Sequence, residues 1–244
     1  MNKLIFTAVS RNYFNLPIWI AQRQGMLADE GLDVAIELYE GVDEVTNRLR
    51  DGRAQIGYGI TEHVVLDSEA CGFLEIVGGN VNRLPFSLIT GKNIRSVGDL
   101  RGKTVGVSSI EAGSSSLVMT LLAARGLHYP GDYKMRAVGP ILARWEMLQS
   151  GEIDAGLQGA PLNYIAVDQG FGSLCEPRQE VPDFQFTSLN VDKRWAQANA
   201  YVMHRFMRAF VRAHEFFSVG RDAVTPIAVA ETGITENLRA ARLG

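Results

Sequence analysis

The chain has 244 residues, 46% hydrophobic and 21% charged, an ordinary folded composition with enough length for one large core or two modest ones. A net charge of −3 excludes a nucleic-acid grip based on overall charge, and no run approaches the roughly 18 apolar residues that span a bilayer. Cys71 and Cys175 stand in no Cys-x-x-Cys or Cys/His spacing, which removes a zinc site and leaves two expected free thiols.

Leu4–Val9 is too short for a secretory core and no small-residue cleavage site follows it, so it reads as a first buried strand. The expected location is the periplasm if a leader was removed and the cytoplasm otherwise. The pattern then predicts helix 16–28, strand 33–38, helix 43–50, strand 54–57, helix 62–69 and strand 74–78. An extended segment at 86–90 follows. A second series runs strand 104–107, helix 114–125, strand 134–138, helix 141–149, strand 155–158 and helix 162–168. A second extended segment, 184–189, leads into a helical tail. There Val202, Phe206, Phe210 and Phe217 form one stripe, and Pro226 is placed at the start of a further helix.

The two series resemble one another. Leu49-Arg-Asp-Gly-Arg-Ala-Gln-Ile-Gly57 returns in outline as Leu148-Gln-Ser-Gly-Glu-Ile-Asp-Ala-Gly156. Leu27-Ala-Asp-Glu-Gly-Leu32 returns as Leu122-Ala-Ala-Arg-Gly-Leu127, and Thr7–Ser10 as Val105–Ser108. Ordered recurrence of three landmarks predicts an α/β chain of two similar Rossmann-like lobes joined by two crossing strands, with a ligand held between them. Lobe one is expected at 1–88 plus 188–244, bearing the helical C-terminal extension, and lobe two at 89–187. The hinge strands are expected near 86–90 and 184–189.

Strand ends carry the candidate chemistry. After strand 104–107, a Gly/Ser loop containing Ser108, Ser109, Ser114, Ser115 and Ser116 opens a helix. It reads either as an anion cradle of amides and hydroxyls or as an ordinary helix cap. Its lobe-one counterpart offers Arg11, Asn12, Tyr13, Phe14 and Asn15, with Arg11 either neutralising an anion or solvated. Thr61, Asn80 and Asn82 end two further strands, and Gly159 and Asn163 end the corresponding strand of lobe two, where glycine admits close approach to backbone. Gly102-Lys103-Thr104 precedes its strand rather than opening a helix, so no nucleotide loop is present. His63 and Glu62 are either an acid–base pair or packed and surface residues. His204 and His214 are too far apart for a helical metal pair. Arg205, Arg208 and Arg212 share a helix face that is either solvated or a docking surface.

Several segments together resemble the sulfonate/taurine/nitrate-type ABC transporter solute-binding proteins and their thiamine-pyrimidine-precursor relatives. They are Ile18–Val34, Arg50-Asp-Gly-Arg-Ala-Gln-Ile-Gly57, Ser96-Val-Gly-Asp-Leu-Arg-Gly-Lys-Thr-Val-Gly-Val107 and Leu148-Gln-Ser-Gly-Glu-Ile-Asp-Ala155. Gln55 stands where that pattern has an acidic residue. The resemblance implies a type II periplasmic-binding-protein fold and a solute-binding protein that clamps a small anionic or aromatic molecule between its lobes for ABC-type import. The implied partners are that small molecule and an ABC permease, with no nucleic acid, no membrane insertion, no cofactor and a monomeric state. The alternative is an enzyme on the same scaffold, decarboxylase- or desulfinase-like, acting on an aromatic or heterocyclic acid. A cytoplasmic sensor docking through the arginine face is a third option.

Overall fold

The computed structural model describes residues 1–9, 11–110, 113–176 and 183–233, and Ser10, Glu111 and Ala112 of the two candidate loops lie outside them. In β1 (Asn2–Val9), Leu4, Phe6 and Ala8 alternate onto one core, while Ile5, packed against a second cluster, and the fully buried Thr7 take the other face, so the strand is covered on both sides. It pairs in parallel with β2 (Leu32–Tyr39) on one side and β3 (Ile56–Ile60) on the other. The helix expected over 16–28 is two helices, α1 (Leu16–Arg23) and α2 (Met26–Asp29). Gly25 between them takes a left-handed conformation (φ 71), which glycine adopts without a side-chain clash. The amphipathic α3 (Val42–Arg50) returns the chain to β3, and α4 (Thr61–Glu69) leads to β4 (Leu74–Val81).

The sheet of this first unit is completed from far along the chain. β10 (Thr187–Asp192) lies antiparallel between β3 and β4, giving the order β2-β1-β3-β10-β4. Among the described residues the unit comprises Met1–Val81 and residues 187–233.

The second unit is the continuous stretch Asn82–Phe186. It contains β5 (Phe86–Thr90), β6 (Thr104–Val107), α5 (Ser114–Ala123), β7 (Lys134–Ala137), α6 (Ile141–Ser150), β8 (Ala155–Gly159), α7 (Leu162–Asp168) and β9 (Gly172–Ser173). Its order is β7-β6-β8-β5-β9, with β6 parallel to β7 and β8 and with β5 antiparallel to β8. Strand for strand this is the plan of the first unit. Of the two segments expected to cross, 184–189 spans the boundary between the units, with Phe186 in the second and Thr187 opening β10 of the first, whereas 86–90 is β5, a member of the second sheet.

The duplication extends to single hydrogen bonds. The Ile5 amide donates to the Gln55 side-chain oxygen at 2.8 Å, and the Thr104 amide donates to Asp154 Oδ2 at 2.9 Å, each across 50 residues. Gln55 therefore does with an amide oxygen what its acidic counterpart does with a carboxylate. Register pairs Phe6 with Ile56 and Val105 with Ala155, so Phe6 answers to Val105. The Thr7–Ser10 match to Val105–Ser108 is thus offset by one residue.

The tail forms α8 (Lys193–Ala198), α9 (Ala200–Val219) and α10 (Arg221–Thr232). Val202, Phe206, Phe210 and Ala213 of α9 share one core with Phe6, Ile18, Trp19, Ile56 and Tyr58. The Phe6 and Phe206 rings stack at 6.0 Å, and Tyr58 meets Phe210 at 5.7 Å. Covered by both sheet and tail, α1 buries every residue from Leu16 to Ala21. Phe217, expected in the same stripe, is exposed at 39% because the stripe has turned off the core by then. Pro226 lies inside α10 rather than at its start.

The arginine face of α9 is neither free nor purely solvated. Arg208 donates to both Glu30 oxygens (2.7 and 3.2 Å), and Arg212 reaches Asp29 at 3.1 Å. These exposed pairs orient the tail on the end of α2 more than they stabilise it. No helix among the described residues is long and apolar enough to cross a membrane. Both cysteines are free.

Candidate functional site

In the second unit, β6 ends in the Ser-rich turn. The Ser108 amide donates to Ser114 Oγ at 2.7 Å, and the two hydroxyls lie 3.0 Å apart. Gly113 (φ 73) caps α5, so Ser114 is the first helical residue, and its hydroxyl points back along the loop instead of capping its own helix. Ser109 is half-buried beside this turn, and Ser115 is fully buried.

A polar group that sequence analysis did not single out lies on the neighbouring strand ends. Pairing of β6 with β8 stops at Gly106 and Gly156. Over these two glycines runs the side chain of Arg144, from the sheet-facing side of α6. A Cβ on Gly156 would sit 2.7 Å from Arg144 Cδ, and one on Gly106 would sit 3.3 Å from Arg144 Cγ. Alternation along β8 puts Gln158 on the same face as Gly156, one step nearer the strand's C-terminal end. Opposite Gln158 in the antiparallel pair is Ser87, whose hydroxyl accepts from Asn163 Nδ2 at 3.3 Å. Gly159 ends the strand, buried near Pro85 and Phe86.

This face is under-satisfied. Gln158 is 0% exposed, yet neither its amide nitrogen nor its oxygen has a hydrogen-bonding partner among the described residues. Arg144 Nε and Asn163 Oδ1 are likewise buried without one. Buried polar side chains are satisfied in the large majority of cases, so four such atoms on one side of one sheet call for an explanation.

The first unit treats the corresponding positions differently. Gly59 stands where Gln158 does, and a Cβ there would lie 2.7 Å from Asn190 Nδ2, so Asn190 fills the space. Thr61 donates to Ser188 at 3.0 Å, and Ser188 donates to Asn190 Oδ1 at 2.7 Å, which closes the relay. Asn80 Nδ2 donates to Thr187 Oγ1 and to the Phe14 carbonyl, each at 3.2 Å, tying the strand end to the loop after β1. Asn12 is spent on that loop. It donates to the Val9 carbonyl at 2.8 Å and accepts from the Phe14 amide at 2.9 Å, capping the short 3-10 turn Tyr13–Asn15. Tyr13 packs against the core; burial raises its hydroxyl pKa, with the Thr232 hydroxyl pulling the other way. Arg11 turns away to Glu231 at 2.9 Å, which compensates its charge within the protein.

His63 is 7% exposed, with Nδ1 2.7 Å from Thr46 Oγ1. The Thr46 hydroxyl also reaches the Val42 carbonyl at 3.1 Å. Nε2 stands 3.7 Å from Asp43. Burial lowers the His63 pKa, outweighing Asp43 and Glu62, which raise it. A hollow of about 680 Å³ lined by Val65, Phe73, Ile76 and Lys193 opens near the start of β4, away from the strand ends described above. No cluster of three or more His, Cys, Asp or Glu able to hold a metal occurs among the described residues.

Two mixed sheets of the same order, each with its polar residues at strand ends, are the architecture of the α/β solute-binding proteins. The chain belongs to the NMT1/THI5-like family, whose model matches residues 12–218. The alkanesulfonate-binding protein of Xanthomonas axonopodis pv. citri, solved with MOPS bound, aligns with a TM-score of 0.81 at 16% identity, over 96% of this chain and 80% of that one. The periplasmic nitrate-binding protein of Synechocystis PCC 6803 gives 0.83 at 14% identity, over 96% of this chain and 68% of that one. The 4-amino-5-hydroxymethyl-2-methylpyrimidine phosphate synthase of Schizosaccharomyces pombe is 30% identical over 184 residues, 74% of this chain and 51% of that protein. The chain thus spans about half the length of that relative.

Proposed function

We propose that this chain is a solute-binding protein that closes its two units on a small anionic or aromatic organic molecule and passes it to an ABC permease in the periplasm. The observation that carries the reading is the buried set Gln158, Asn163 Oδ1 and Arg144 Nε at the strand ends of one sheet, without partners among the described residues. In open α/β sheets ligands bind outside the carboxyl ends of strands. A ligand's polar atoms would pair groups that the described residues leave unpaired. Asn80, Thr61 and Asn12 shape the corresponding end of the first unit, and Ser108, Ser109, Ser114 and Gly159 that of the second. The test is a thermal-shift screen over alkanesulfonates, aromatic carboxylates, nitrate and pyrimidines, followed by small-angle scattering with each hit. Expected are a raised melting temperature and a smaller radius of gyration. Hits that leave the radius unchanged would overturn closure.

A second reading is an enzyme acting on a heterocyclic compound. It is supported by the 30% identical pyrimidine phosphate synthase and by a buried histidine, His63, whose pKa burial lowers, so that it is a base at neutral pH. Here His63 takes up a proton. His63→Gln would abolish turnover of a pyrimidine substrate under this reading and leave binding affinity within about twofold under the first, a change of less than about 0.5 kcal/mol.

A further inference from the structure

We infer that Arg144 is the anion anchor of this protein and that its ligand is an acid, a carboxylate or sulfonate whose charge supplies the counter-ion found on none of the described residues. The inference rests on the binding-protein reading and narrows it to a substrate class.

Arg144 is 2% exposed, and among the described residues no carboxylate pairs with it. Among the described residues its guanidinium donates only to neutral carbonyls, Nη1 to Leu157 at 2.6 Å and Nη2 to Gly139 at 3.3 Å, with Nε left over. A buried cation without a counter-charge is costly, and a merely structural position is better filled by an apolar side chain of similar length. The chain instead makes room for it, since glycine at 106 and 156 keeps the trough open for the arginine stem. Burial brings its pKa down to about 10, so it remains charged at neutral pH.

The location fits an incoming ligand. From β6 the chain goes to β7 on one side of the sheet and to β8 on the other, so the sheet order reverses between β6 and β8. Arg144 bridges the strand ends at that switch point, binding the carbonyls of Leu157 in β8 and of Gly139 just past β7. Gln158, on the same face, adds a neutral donor and acceptor for the rest of the molecule. A guanidinium meeting a carboxylate or sulfonate forms short, charge-assisted bonds that a neutral heterocycle cannot.

The test is isothermal titration of the full chain, as wild type, Arg144→Lys and Arg144→Met, with matched probes. These are benzoate against benzamide, methanesulfonate against dimethyl sulfone, and a neutral aminopyrimidine. Expected is binding of an acid at least about thirtyfold tighter than its neutral partner, a preference lost in Arg144→Met. Arg144→Met without ligand should melt no lower than wild type, because it removes an uncompensated buried charge. Retained acid affinity in that variant, or a lower melting temperature without ligand, would overturn the assignment and make the arginine a structural strut. A neutral probe that binds wild type and Arg144→Met alike would overturn it while leaving the binding-protein reading intact. If no probe binds wild type, both fall.

Discussion

Gln158→Met should make the ligand-free protein more stable. The Gln158 side chain is fully buried and both polar atoms of its amide lack a partner among the described residues. An unpaired buried donor or acceptor costs about 1–3 kcal/mol. Methionine has nearly the same length and flexibility and carries no strong polar group, so it keeps most of the packing while removing that cost. Allowing for an imperfect fit, the second unit should gain about 1–3 kcal/mol. Trp145 is the one tryptophan of Asn82–Phe186; Trp19 and Trp195 belong to the first unit. Urea unfolding in a Trp19→Phe, Trp195→Phe background therefore reports the second unit through Trp145, which packs on Phe171 at 5.1 Å. The same substitution should weaken every compound that raises the melting temperature of the parent. A loss of stability greater than about 1 kcal/mol would mean that the amide is satisfied before ligand arrives, and the argument from unpaired groups would fail.

Phe206→Ala removes a fully buried ring that stacks on Phe6 at 6.0 Å and on Phe210 at 5.9 Å. It should cost about 3–5 kcal/mol, and hydrogen exchange should quicken in β1 and α1 but not in β6 or β8. Gly57→Ala places a Cβ 2.5 Å from Thr7 Cγ2 and 2.8 Å from the Thr7 carbonyl, which is backbone and cannot step aside. A loss of about 1–3 kcal/mol in denaturant titration is expected. Burial lowers the pKa of both His63 and His214 in the folded state. The unfolded chain therefore binds more protons as pH drops below about 6.5. Stability should be full above that pH and fall below it, and His214→Leu should flatten the slope between pH 7.5 and 5.5 in urea titrations.

The repeated landmarks made the layout legible because each marks a local constraint. Gly52 and Gly151, at matching places after α3 and α6, both take the left-handed conformation, at φ 69 and 78. Gly31 and Gly126 do the same at φ 67 and 79. Such positions write themselves into sequence, and so do the buried runs of β3 and β8. What a side chain turns toward is not local. Arg11 finds Glu231 from the far end of the chain, and Arg208 finds Glu30, neither of which any spacing reveals. Arg144 escaped notice because an arginine on a helix ordinarily faces water. The available sign was the pair of glycines at matched strand positions, Gly106 and Gly156, which leave a side chain's width of room above the sheet. Asn12 was legible as a polar loop residue, but its side chain is committed to its own turn.

The insertion of β10 between β3 and β4 has a consequence for assembly. The first sheet is interrupted, and its missing member is made only after the whole of Asn82–Phe186 has been synthesised. On a ribosome the nested half emerges uninterrupted and can settle by itself, while its older sibling waits with unpaired strand edges for residues 187–192. Maturation of the N-terminal sheet is thereby timed by the chain's last quarter, and a nascent polypeptide stalled before Thr187 would present an incomplete edge to chaperones.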